Sequence, residues 1–117
     1  NLFLKFDAIG LGVFTIIGAT FAYNIFGLNF LAILLAGILT AAGGGILRDI
    51  FVNQVPIVFV KEFYLSASFI GIVIFSIILY FTEDIYYATI VGIILTTSLR
   101  LIAIKYNWNL PKVKNID

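Results

Sequence analysis

The sequence predicts an all-α membrane protein with four transmembrane helices in a single domain, 1–117. Three observations carry this. Of 117 residues, 62% are hydrophobic and 11% are charged, and the mean hydropathy is +1.16. A soluble domain carries a charged fraction of roughly 25%. Four apolar stretches each approach the length of about 20 residues that a bilayer-spanning helix needs. These stretches are continuously apolar and do not alternate, which argues against the strands of a membrane barrel.

The first helix is expected over 6–26. Gly27-Leu28-Asn29 then supplies a C-terminal glycine followed by an N-cap. The second is expected over 30–51. It contains Gly43, Gly44 and Gly45 in succession, ahead of a charged pair, Arg48-Asp49. Each glycine weakens a helix by about 1 kcal/mol relative to alanine. This predicts a helix that bends or breaks at the three glycines, or else a hinge or close helix–helix contact. The joint 52–62 is the longest. It holds Pro56 and ends in Lys61-Glu62, and its apolar run 57–60 fits an interfacial position. The third helix is expected over 63–81. Thr82-Glu83-Asp84 caps the fourth, over 85–105, with acids at its positive end. Residues 106–117 read as a polar tail, with Trp108 as an interfacial anchor.

Charge sets orientation. Four crossings place Lys5, Arg48, Lys61, Lys105, Lys112 and Lys114 on one side, whereas the joints near Gly27 and Thr82 carry neither lysine nor arginine. The positive-inside rule puts both ends of the chain in the cytoplasm. A net charge of +1 gives no reason to expect nucleic acid. The chain holds no cysteine and no histidine. That excludes thiol chemistry and removes the commonest general base and metal ligand. No cofactor, resident metal or catalysis is expected. Methionine is absent even from position 1, so the natural start is expected upstream, and the first segment lacks the basic beginning of a signal peptide.

Several residues are candidates for a site. Backbone carbonyls at a break around Gly43, Gly44 and Gly45 could coordinate a cation in a wet cavity. Arg48, Asp49, Lys61 and Glu62 would surround the cytoplasmic mouth, as gate or as plain surface pairs. Asp7 would sit in the first turn of its helix and tune it. Arg100 would snorkel to the interface, face a wet cavity or an acid, or serve an anionic lipid or a gate together with Lys105. Thr15, Thr20, Thr40 and Ser66 would line a polar path or bond back to their own helices. Ala8 with Gly12, Gly18 with Ala22, and Gly71 and Gly92 would serve helix packing.

Together these residues resemble a known family. Asp7-Ala8-Ile9-Gly10-Leu11 opens the first helix, and Leu39-Thr40-Ala41-Ala42-Gly43-Gly44-Gly45-Ile46-Leu47-Arg48-Asp49 closes the second. Val55-Pro56, Lys61-Glu62-Phe63-Tyr64, Leu99-Arg100-Leu101 and Trp108-Asn109-Leu110-Pro111 follow. The set is similar to the prokaryotic trimeric intracellular cation channels, also described as an uncharacterised membrane family and as glycine transporters. The resemblance implies two inverted three-helix repeats and a final helix, of which this chain matches the second repeat and the final helix. It further implies a homotrimer in the cell membrane, a missing amino-terminal half, and a monovalent, potassium-type cation path in each protomer. A small-solute path, for glycine, is the alternative.

Overall fold

The computed structural model describes residues 2–51 and 63–106. They form four helices: α1 (Leu2–Phe26), α2 (Phe30–Phe51), α3 (Phe63–Thr82) and α4 (Ile85–Tyr106). No strand occurs among the described residues. Each helix is long and apolar enough to cross a membrane. The expected ends of α2 hold, α3 and α4 each run one residue further, and α1 begins four residues earlier, at Leu2. Asp7 therefore lies in the second turn of α1, beyond the strong part of the helix dipole. The joint 52–62, with Lys61 and Glu62, and the tail 107–117 lie outside the described residues.

The two described turns follow their sequence signals. Gly27 has φ +72°, and its amide bonds the Tyr23 carbonyl at 2.8 Å. Asn29 Oδ1 then accepts from the Ala32 amide at 3.2 Å, an N-cap for α2. At the second turn Thr82 donates to the Ile78 carbonyl at 2.8 Å. Asp84 Oδ1 accepts from the Tyr86 and Tyr87 amides at 3.0 and 3.3 Å. Between them Glu83 has φ 58°, a left-handed position that favours glycine.

The helices pack as a diamond. α1 and α3 touch each other and both remaining helices, while α2 and α4 stay apart. Small residues set the close approaches. A Cβ added to Gly18 would strike the Ala36 carbonyl, and one added to Gly37 would lie 3.0 Å from the Thr15 carbonyl. Gly12 meets Thr97 and Ile93 in the same way, and Gly71 meets Thr96. The packing role expected for the small residues holds: Ala8, Gly12, Gly18, Ala22, Gly71 and Gly92 are all buried. Large apolar side chains such as Phe14, Phe21, Leu35, Ile70 and Ile94 point outward, as a lipid-facing surface requires.

Of the outcomes expected at the three glycines, the break does not occur: α2 is one continuous helix from Phe30 to Phe51. The physical reason is the solvent. A break in hydrocarbon exposes backbone groups at several kcal/mol each, which outweighs the glycine propensity cost of about 1 kcal/mol per residue. The glycines serve contact instead: Gly45 is buried, and a Cβ on Gly44 would lie 2.9 Å from Cδ2 of Phe14 in α1.

Candidate functional site

The bundle interior is graded along its axis. Toward the end formed by the two turns it is mainly apolar, built from Ile16, Ala19, Ala22, Ile33, Ile72, Phe75, Leu79 and Ala88, with Ser76 as a buried polar residue among them. Toward the end that holds Leu2 and Tyr106 it becomes polar. Asp7, Thr15, Ser68, Thr96 and Arg100 are all buried there.

Thr15 and Ser68 join α1 to α3, with their hydroxyl oxygens 2.7 Å apart. Thr15 donates its one proton to the Leu11 carbonyl at 2.6 Å. Ser68 is therefore the donor to Thr15, and the chain of bonds runs from Ser68 through Thr15 to Leu11. Thr15 thus bonds back to its own helix, one of the two roles expected of it, and also bridges to α3. Thr40 lies beside Gly18. Ser66 is half-buried, whereas Ser68 is fully buried. The Thr96 and Thr97 hydroxyls have no hydrogen-bond partner among the described residues, and each rests against a glycine of a neighbouring helix.

Asp7 and Arg100 are 2% and 3% exposed. The α1–α4 register is antiparallel and fixed by Gly12 against Ile93 and Thr97. It brings Asp7 and Arg100 to one level of the bundle. Each interacts with other groups, and neither is free. This burial contradicts a snorkelling or lipid-bound Arg100. Lys105 is exposed, with its ammonium 5.4 Å from the Tyr106 ring centre, so the two basic residues do not form a joint lipid site. Arg100 faces inward because it continues a buried stripe at four-residue steps: Ala88, Gly92, Thr96, Arg100. That stripe was the signal in the sequence for this site. Ser68 had a weaker one, lying three residues before Gly71.

The three glycines do not share one face. A regular helix turns them by about 100° per residue. Accordingly Gly43 is exposed, Gly44 half-buried and Gly45 buried, and a Cβ on Gly43 would meet nothing within 4 Å. Arg48 and Asp49 ride on the last turn of α2, where their side chains lie outside the described part of the structure. No cluster of three or more metal-ligating side chains occurs among the described residues.

Four helices, each long and apolar enough to cross a bilayer, define a multi-pass membrane protein. The glycine transporter family matches residues 4–80, and the chain belongs to that family. The UPF0126 inner membrane protein YadS of Escherichia coli (strain K12) is 34% identical over 106 residues, covering 90% of this chain and 51% of that protein. A UPF0126 membrane protein of Vibrio cholerae serotype O1 is 35% identical over 105 residues, covering 90% of this chain and 44% of that protein. A solved structure that explains conductance through TRIC cation channels is similar at 38% identity, with a TM-score of 0.78. The likeness covers 92% of this chain and 53% of that one. The chain thus spans about half the length of the relatives it matches.

Proposed function

We propose that this chain is part of a monovalent cation channel of the potassium type. The observation that carries the reading is the likeness to a cation channel at 38% identity and TM-score 0.78. Physical chemistry agrees on where the path runs. The turn-side half of this bundle is closed by packed Ile16, Ile33, Phe75 and Leu79, and close-packed side chains leave no room for water. The path therefore runs along an outer face of the bundle. A second set of helices, from an amino-terminal half or another copy, completes its wall. The protein acts as a homotrimer in the inner membrane, with both ends of this chain in the cytoplasm.

On this reading the face of α2 that bears Gly43 borders the path. Gly43 presents bare backbone with open space beside it, so a hydrated cation passes close to the helix. Gly44 keeps α2 tight against Phe14 of α1. Arg48, Asp49, Lys61 and Glu62 form the charged mouth and tune selectivity or open fraction. Arg100 and Asp7 hold the last helix at the level of that mouth. The chain catalyses no reaction. A glycine-type solute path is the second reading, favoured by the description of the matching family.

The test is potassium flux into liposomes containing equal amounts of the complete gene product. Gly43→Leu places a large side chain in the open space and abolishes flux. Arg48→Gln changes selectivity or open fraction and leaves the path intact. Normal flux through Gly43→Leu would remove α2 from the path.

A further inference from the structure

α1 and α4 touch at Gly12, Ile93 and Thr97. Between them lies an open groove of about 610 Å³. Ile16 and Ile93 form its floor, Thr20 and Thr89 its middle, and Asn24 and Tyr86 its mouth. We propose that this groove holds one acyl chain of an aminophospholipid, whose ammonium group sits against Glu83 and Asp84.

Depth is the first argument. Tyr80, Tyr86 and Tyr87 are exposed at this end of the bundle, and such amphipathic rings mark the headgroup level. The mouth at Asn24 and Tyr86 thus lies among headgroups. From Asn24 to Ile16 the groove descends eight residues, about 12 Å into hydrocarbon at 1.5 Å per residue.

Lining is the second. Ile16, Ile17, Phe21, Ile85 and Ile93 give the groove an apolar wall along its length, which suits a hydrocarbon chain. The threonines and Asn24 meet the ester and phosphate oxygens near the mouth.

Charge selects the headgroup. Glu83 and Asp84 are exposed, and this end carries no lysine or arginine among the described residues. Asp84 stands at the mouth, since its Oδ1 accepts from the amide of Tyr86. An anionic headgroup would face two carboxylates, whereas an ethanolamine ammonium is attracted to them.

The complete gene product is incubated with vesicles of equimolar phosphatidylethanolamine and phosphatidylglycerol, and retained lipid is counted by native mass spectrometry. Phosphatidylethanolamine should be retained about fivefold over phosphatidylglycerol, the factor expected of a surface ion pair. Thr20→Phe with Thr89→Phe fills the groove and should abolish retention. Glu83→Gln with Asp84→Asn keeps the helix cap, because asparagine also caps. It should hold total lipid constant while the preference falls to parity. Circular dichroism reports whether each variant folds, and a photoreactive side chain at Thr89 reads the unmutated groove in intact membranes. Crosslinking to lipid is expected. Crosslinking to polypeptide, equal retention of both lipids by the unmutated protein, or retention by the folded phenylalanine pair would overturn the proposal.

Discussion

Gly71→Ala isolates the closest helix contact in the bundle. An added Cβ would fall onto the Thr96 hydroxyl and lie 3.1 Å from Thr96 Cβ. Gly71 and Thr96 are both buried, so α3 and α4 must separate or Thr96 must leave its rotamer. Overpacking of this kind costs about 1–3 kcal/mol. Better helix propensity returns about 1 kcal/mol, leaving a net loss of about 0–2 kcal/mol. Thr96→Ala alone should cost about 1 kcal/mol for the lost methyl, because its hydroxyl has no hydrogen-bond partner to lose among the described residues. With both changes the worst contact disappears. The double variant should then be more stable than the sum of the singles by about 1–2 kcal/mol. The assay is reversible unfolding in mixed micelles with increasing dodecyl sulfate, followed by far-ultraviolet circular dichroism. Additivity within about 0.5 kcal/mol would show that the two residues do not touch and would refute the α3–α4 register.

Four further outcomes are expected. Gly43→Ala, which meets open space, should stabilise α2 by up to about 1 kcal/mol in the same unfolding assay; destabilisation would show that this face is covered. Gly27→Ala at φ +72° should cost about 1 kcal/mol, whereas Glu83→Gly at φ 58° should be neutral or stabilising by a similar amount; thermal melts of the two variants check the contrast. Thr15→Val removes the acceptor for Ser68 and should cost about 1–3 kcal/mol, largely relieved when Ser68→Ala is added. Arg100→Met should destabilise the bundle, because it removes a buried charge at the level of buried Asp7; recovery on adding Asp7→Asn measures the coupling of the two.

The four helices and both described turns were legible because local chemistry sets them. Apolar length marks the spans, and Gly27, Asn29 and Asp84 mark their ends. Small residues four apart correctly marked the packed faces. The break at Gly43, Gly44 and Gly45 misled because propensity measured in water ignores the cost of open backbone in lipid. For Arg100 the inward alternative holds over snorkelling, and its phase on the helix, not its distance from the helix end, was the signal. The step from Thr96 to Arg100 places it inside, on the stripe of Ala88 and Gly92. The Thr15–Ser68 bond joins residues 53 apart in sequence. Spacing within one helix carries no trace of such a partner, and only the α1–α3 register reveals it.

The central claim is that the protein passes a monovalent cation. The most direct measurement uses the complete gene product in liposomes, with potassium and radiolabelled glycine supplied in parallel. The account predicts potassium entry that follows an imposed voltage, with glycine uptake no greater than in empty liposomes. Glycine uptake without potassium current would contradict it and establish the solute path in its place.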